Sequence, residues 1–275
     1  MQQTSFIYNL VIADDCSTDG TREKIINFAK NRDDTSLILQ KKNKGPNLNF
    51  VDLVTKPKTK YIAYLEGDDY WTDPYKLQKQ VDYLETHAEC SFCFTDCQVE
   101  RNKTLQEVHP NFKKENQFTN IDFADQSGSI AQTSTWLVRR EYIQNLPKWV
   151  MNSYTSDWCM QVYFAKFGKG GYIPIKTAVY RVHENGVWSK LNPFEGWRKN
   201  LEFYKTATKQ FNELSSRSRL KKRINKTIIE ALELANIEAN KKELIFWLLK
   251  KLVFCPFKSL KQSFHSLHLL AILRN

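Results

Sequence analysis

Ala63-Tyr64-Leu65-Glu66-Gly67-Asp68-Asp69-Tyr70-Trp71 ends an apolar run in an acidic pair just before a helix start. Short apolar runs are how buried strands of α/β proteins read, and ligands gather at the carboxyl ends of such strands. Tyr61 to Leu65 is therefore expected to deliver Asp68 and Asp69 to the working edge of a sheet. Pro74 suits a first helical turn, and Leu77, Val81 and Leu84 follow at helical spacing. Adjacent carboxylates repel unless a cation or hydrogen-bond donors compensate, and hard oxygen ligands suit magnesium or manganese carried with phosphates. A solvated acidic turn capping the helix near Pro74 accounts for the pair alone equally well.

A second strand, Asn9 to Ala13, also runs into acids, in Asp14-Asp15-Cys16-Ser17-Thr18-Asp19-Gly20-Thr21. Ser17, Thr18 and Asp19 are natural caps for a helix carrying Ile25, Ile26 and Ala29. Capping accounts for Asp19 but not for Asp14 and Asp15, which precede the turn.

The order Val-Ile-Ala-Asp-Asp-Cys-Ser-Thr-Asp-Gly-Thr, then Asn43-Lys44-Gly45, then Leu65-Glu66-Gly67-Asp68-Asp69-Tyr70-Trp71 resembles family 2 glycosyltransferases of the bacterial surface-polysaccharide type. The resemblance implies the GT-A fold, an α/β nucleotide-diphospho-sugar transferase sandwich with a mixed central sheet. It implies that Asp15 binds the nucleotide base, that Asp68 faces ribose or metal, and that Asp69 holds a divalent metal, Mn or Mg. The family's later motif is commonly Asp-x-Asp-Asp; Glu66 stands at its first position and is left outside the metal shell.

A divalent ion can neutralise the charge developing on a departing nucleoside diphosphate, which leaves the need for a base to take the acceptor hydroxyl's proton. Ser156-Asp157-Trp158 opens a helical pattern running to Phe167 and ending at Gly168. The resemblance makes Asp157 that catalytic base, with Ser156 where the family often has a second acid; a plain N-terminal helix charge is the other reading, worth up to about 1 kcal/mol. Val179 to Ser189 resembles the family's Tyr-Arg-x-His stretch. Arg181 is thereby expected at the diphosphate, His183 at the metal or a phosphate, and Trp188 over the donor. A structural histidine, and an arginine paired to a buried carboxylate, are the alternatives.

The likeness covers about two thirds of the chain. Family members usually open with a further strand and helix, on the order of 20 to 30 residues by ordinary element lengths. Their absence here leads to the expectation of an N-terminally truncated sandwich whose neighbouring strand is exposed, and of either an upstream start or a catalytically inactive, nucleotide-sugar-binding remnant.

The chain has 275 residues, 13% of them aromatic, enough for one α/β domain and an appendage. Cys90 to Val99 reads as a strand with Cys93 and Cys97 on one face and Cys90 on the other, so buried free thiols are expected rather than zinc. No secretory signal is apparent, and a cytoplasmic location is expected. Charge is uneven. From Leu201 onward 15 basic and 6 acidic residues give +9, whereas the whole chain carries +11. This region reads as helices, and no apolar run reaches the roughly 20 residues that span a bilayer. Residues 1–195 are thus expected to be the catalytic domain and 196–275 a basic amphipathic helical tail. In that tail Ile245, Leu248 and Leu252 lie opposite Lys250, which suits either a helix resting on anionic lipid at the inner face of the cytoplasmic membrane or one packed on protein with a solvated basic face. Asn102 to Gln126 reads as an irregular loop. Ile130 to Val138 reads as a strand offering Thr133, Ser134 and Thr135 to an acceptor, with Trp136 as a sugar platform or a packing residue.

The expected activity is inverting hexosyl transfer from a nucleotide-diphosphate sugar to a carbohydrate or lipid-linked acceptor in surface polysaccharide synthesis. A basic nucleic-acid-binding protein is disfavoured, because acidic strand ends repel phosphate chains.

Overall fold

The computed structural model describes residues 1–107, 116–125, 130–184, 186 and 189–254. In chain order the elements are β1 (Leu10–Asp14), α1 (Thr21–Ala29), β2 (Thr35–Leu39), α2 (Pro46–Thr55), β3 (Tyr61–Ala63), β4 (Tyr70–Trp71), α3 (Lys76–Thr86), β5 (Cys90–Arg101), β6 (Thr104–Glu107), β7 (Asn116–Phe118), α4 (Asn120–Ala124), β8 (Leu137–Arg139), α5 (Lys148–Met151), α6 (Ser156–Phe164), β9 (Lys169–Val182), α7 (Pro193–Thr208), α8 (Leu214–Ile237) and α9 (Lys241–Phe254). They fall into two compact units, Met1–Phe123 with Ser129–Val182, and Ala124–Gly128 with His183–Asn275.

In the first unit β1 and β2 form a parallel pair. A seven-stranded mixed sheet has the order β3-β8-β5-β9-β4, with β6 on β5 and β7 on β9. Its long spine is β5 running parallel to β9. Phe92 and Phe94 of β5 meet Phe118, Phe123, Trp136, Phe164 and Tyr172 in an aromatic core. Rings lie this close to β9 because two glycines yield the space: a Cβ on Gly170 would stand 2.5 Å from the Phe123 ring, and one on Gly171 2.2 Å from Tyr83.

Among the described residues β1 pairs with β2 alone and β3 with β8 alone. Leu10 and Val11 of β1 and Tyr61 to Ala63 of β3 line one apolar cleft of about 620 Å³, with Leu53, Leu65 and Leu137 in its walls. Phe6 and Tyr8 pack against the core beneath, while Ile7 is 91% exposed.

Several sequence expectations shift. The residue before α1 is Gly20 in a left-handed conformation, with no side-chain cap; Asp19 instead accepts the Thr21 N–H at 3.1 Å. Pro74 precedes α3 by two residues. Helix α6 ends at Phe164, and Gly168 serves a close approach, since a Cβ there would sit 2.7 Å from the Glu89 carbonyl. Register shifts in β5 at Cys90/Phe92 and around Asp96 break the strict alternation, so Cys90 and Cys93 share one core cluster. The described cysteines are free thiols; of the three expected to be buried, Cys90 and Cys93 are and Cys97 is half-buried; Cys255 lies outside the described residues. The segment read as an irregular loop contains β6, β7 and α4, and the Ile130 to Val138 strand is a 3-10 turn at Thr133–Thr135 followed by β8. Trp136 is 2% exposed and donates to the Ala131 carbonyl at 3.1 Å, which makes it a core residue and no sugar platform.

In the second unit three helices follow the spacing of their apolar residues. Helix α7 starts with a capping box between Asn192 and Glu195. Arg219 and Arg223 of α8 both reach the Asp125 carboxylate, at 2.9 and 3.0 Å. On α9 the buried seam is Leu244, Trp247 and Lys251, while Ile245, Leu249, Leu252 and Val253 are exposed. Of the expected apolar face, Ile245 and Leu252 are thus exposed and Leu248 is half-buried. Among the described residues no helix is long and apolar enough to cross a membrane.

Candidate active site

Both acidic stretches follow short strands of the first unit. Asp14 ends β1 buried, its carboxylate held by Arg22 at 2.5 Å and by the Ser17 N–H at 3.3 Å. Burial pulls its pKa up, but the Ser17 and Arg22 hydrogen bonds outweigh it and leave the group below the usual range. Asp14 is thus a structural anchor. Replacing Arg22 by alanine strands that carboxylate, and thermal melts are expected to show a loss of about 3 kcal/mol.

Asp15 turns the other way. One of its oxygens accepts the Lys44 N–H and the other the Gly45 N–H, each at 2.8 Å, which fixes the turn into α2. Gly45 has φ of +83° there, a conformation L side chains rarely adopt. From the start of α2, Asn47 donates to the carbonyls of Met151 and Ser153 at 3.1 and 2.9 Å and accepts from the Ser156 hydroxyl at 3.0 Å. One asparagine thereby ties the Asp15 turn to the start of α6, where Asp157 sits.

The later acidic stretch folds as a tight turn, with the Asp69 N–H on the Glu66 carbonyl at 3.2 Å. Asp69 is 7% exposed and accepts the backbone N–H of Arg181 at 3.0 Å. Arg181 also donates through Nε to the Asp68 carbonyl, so β9 clamps the turn. Burial raises the Asp69 pKa, helped by the Asp68 charge and opposed by the Arg181 N–H hydrogen bond and the nearby Ser134 hydroxyl. Burial likewise raises Asp157 in the first turn of α6.

Glu66, set aside in the sequence reading, belongs to this group. Burial, then Asp69 and Asp157, push its pKa up to about 8, and its buried Oε2 has no hydrogen-bond partner. Tyr180 of β9 is raised by burial and by Asp69, Asp68, Glu66 and Asp157 together. Four carboxyl groups therefore share one field, with an orphaned oxygen among them. That is the chemistry of a site fitted to positive charge. Among the described residues no three His, Cys, Asp or Glu side chains form a ready metal cage. A magnesium-like ion held by one or two carboxylates and by substrate phosphates needs no such cage, so the donor set fits an ion arriving with its ligand. His183 belongs to the second unit, where its carbonyl accepts the Gly186 N–H at 3.0 Å. Trp188 lies outside the described residues.

A raised carboxyl binds its proton more tightly folded than unfolded. Folded Glu66 keeps its proton between the ordinary carboxyl range and about pH 8, so the stability it contributes is lost as pH rises through that window. Thermal melts in chelator are expected to fall from pH 5 to pH 8, and Glu66→Gln is expected to flatten the profile.

Sequence reasoning missed Asn47 and Tyr180, left Glu66 outside the metal shell, and read Thr133 and Ser134 as acceptor contacts rather than as neighbours of the acids. Glu66, at the head of the acidic motif, carried a readable signal, whereas Asn47 and Tyr180 carried none.

Residues 1–146 match the model of the family described as Glycosyl transferase family 2, and the chain belongs to that family. It is 34% identical over 196 residues to uncharacterized proteins of Mycobacterium tuberculosis and Mycobacterium bovis, covering 68% of this chain and 54% of theirs, so it spans about half the length of those relatives. It is 33% identical over 110 residues, 39% of this chain and 41% of the other, to the Escherichia coli UDP-Glc:alpha-D-GlcNAc-diphosphoundecaprenol beta-1,3-glucosyltransferase WfaP. Among solved structures, Staphylococcus aureus TarS 1–349 in complex with UDP matches with a TM-score of 0.63 at 12% identity, over 91% of this chain and 72% of that one. The Pyrobaculum calidifontis mannosyltransferase PcManGT with GDP-Man and Mn2+ matches at 0.58 and 13% identity, over 93% and 73%. The fold is the GT-A mixed α/β sandwich, with a helical C-terminal region.

Proposed function

We propose that the protein is a metal-dependent, inverting glycosyltransferase that moves a hexosyl group from a nucleoside-diphosphate sugar to a carbohydrate or lipid-linked acceptor in surface-polysaccharide synthesis. The shared field of Glu66, Asp68, Asp69 and Asp157 carries this reading. A manganese or magnesium ion held by Asp69 and Asp68 would neutralise the leaving diphosphate. Asp15 faces the base: each of its oxygens has accepted one backbone N–H and keeps capacity for a second donor. Arg181 supplies its remaining guanidinium N–H groups to the diphosphate; the donor-side roles expected of His183 and Trp188 rest on the family resemblance alone. Asp157 takes the acceptor hydroxyl's proton as that oxygen bonds to the anomeric carbon and the bond to the diphosphate breaks, so the sugar inverts. Burial strengthens Asp157 as a base. Names of the relatives support the donor and acceptor classes: one uses a UDP-sugar and a diphosphoundecaprenol acceptor, another was seen with GDP-Man and Mn2+.

Calorimetric titration with UDP, GDP and dTDP, with and without manganese, tests the donor side. Binding that requires manganese is expected for one base; equal, metal-indifferent binding of all three, or none, would overturn the reading.

The division of labour expected from charge also stands as a proposal: residues 1–195 transfer the sugar and the basic tail from 196 rests on the inner face of the cytoplasmic membrane. The exposed stripe Ile245, Leu249, Leu252 and Val253 repeats at helical spacing. Beside it Lys205 has its pKa lowered, by burial first and then by the like charges of Lys250 and Lys209, a local excess that anionic lipid relieves. Cosedimentation with phosphatidylglycerol vesicles is expected to drop about tenfold in the Leu249→Asp, Val253→Asp double variant. Equal sedimentation of variant and parent would remove the membrane from the proposal.

A further inference from the structure

Lys76 has no place in the chemistry described so far, and it is 0% exposed. Its ammonium donates to Gln80 Oε1 at 2.6 Å and lies 4.4 Å from the centroid of the Trp71 ring. Both partners are neutral. A lysine buried among neutral groups destabilises a fold unless it deprotonates, and burial brings this one down to about 7, against weak support from Cys93 and Asp73. Methionine would fill the same space without that penalty, so packing alone does not explain the residue.

The bonds leading away from Lys76 converge on one turn. Because Lys76 takes the Gln80 carbonyl oxygen, the amide can face only one way, and Gln80 Nε2 donates to the Thr135 carbonyl at 2.8 Å. Trp71, whose ring covers the ammonium, donates through Nε1 to the Ser134 carbonyl at 2.8 Å. The other side of the same segment is held from α6: Gln161, one helical turn beyond Asp157, accepts the Ala131 N–H at 3.3 Å and donates to the Ala131 carbonyl at 2.9 Å. The turn lies beside the acids: Thr133 lowers the pKa of Glu66 and Ser134 that of Asp69, while the buried Ser134 hydroxyl makes no hydrogen bond of its own among the described residues. The Thr133–Thr135 turn is thus a spacer between the acidic motif and the helix of Asp157, and Lys76 sits behind it.

We propose that Lys76 is a positioning residue: through Gln80 and Trp71 it fixes the Thr133–Thr135 turn, and with it the spacing of Asp69 from Asp157. The claim rests on the glycosyltransferase reading for its functional consequence, though the clamp itself is a property of the fold. Without the ammonium the buried Gln80 Oε1 is left without its donor, and an amide that turns to find another gives up its bond to the Thr135 carbonyl. Arginine offers a broader, forked donor and is not expected to rescue.

Lys76→Met separates positioning from plain stability, because the two predict opposite things. Removing the buried cation is expected to leave the melting temperature equal or higher at pH 6. Amide hydrogen exchange at Thr135 and Trp136 is expected to quicken at least tenfold relative to that of the β5 core, and manganese-dependent nucleotide affinity to weaken about tenfold. Gln80→Leu, which cuts the same path one step later, is expected to match it, and the double variant to add nothing further. Unchanged exchange at the turn would overturn the clamp. Faster exchange with affinity within twofold of the parent would overturn its role in positioning. Should the parent bind no nucleotide, the glycosyltransferase reading falls, and the exchange result alone decides the clamp. If Lys76→Met does not fold, Gln80→Leu carries the same comparisons.

Discussion

Asp69→Ala is expected to abolish manganese-dependent nucleotide binding, weakening it by more than about 100-fold, beyond the loss typical of a residue that merely supports a metal ligand. The reason lies in what the two oxygens do. One accepts the Arg181 N–H from β9, which fixes the carboxylate's plane, and the side chain is 7% exposed, so its charge acts in poorly screened surroundings. Burial and Asp68 raise its pKa, a cost the folded chain carries until positive charge arrives. Asp69→Asn keeps an acceptor for Arg181 while removing the charge, and should lose metal-dependent binding to the same degree with less change in melting temperature. Calorimetry in manganese checks both. Retained binding in Asp69→Asn would mean that the carboxylate serves the β9 clamp and not an ion.

The second large effect separates chemistry from binding. Asp157→Asn is expected to leave nucleotide affinity within about threefold and to cut kcat by 10² to 10⁴, the usual range for a general base. From the first turn of α6 its charge is felt by Glu66 and Tyr180, and burial raises its pKa. Activity should therefore fall as pH drops through that raised value, and the acid limb of the kcat profile should vanish in the variant. A parallel loss of nucleotide affinity would place Asp157 in the donor site and end its assignment as base.

How much of this was legible varies with how local the cause is. The strands before both acidic stretches were readable, because an apolar run ending in carboxylates is a signal within a few residues. Asp15, Asp68 and Asp69 stand beyond such strands, whereas Asp157 was singled out at a helix start by the family resemblance. Trp136 was open between platform and core because its fate depends on Phe92 and Phe164, which lie far off in sequence. Glu66 was set aside because a motif comparison cannot see Asp157 approaching it from a helix some ninety residues later. The alternation rule failed for Cys90 because bulges depend on the partner strand, and β9 comes much later in the chain. Asn47 had no signal at all. Its three hydrogen bonds all go to residues more than one hundred positions away.

The apolar cleft between β1 and β3 has a mechanical consequence. Within a sheet, moving one strand past the next breaks a ladder of backbone hydrogen bonds together. Among the described residues no such ladder joins the β1–β2 pair to the seven-stranded sheet: the apolar cleft lies between β1 and β3, and Asn47 reaches across to the carbonyls of Met151 and Ser153. Asp15 rides on one plate and Asp69 on the other. Layers that share no hydrogen-bonded ladder can shift by small sliding steps, so on the proposed reading the distance from the Asp15 turn to the Asp69 turn is less firmly fixed than a distance within either sheet.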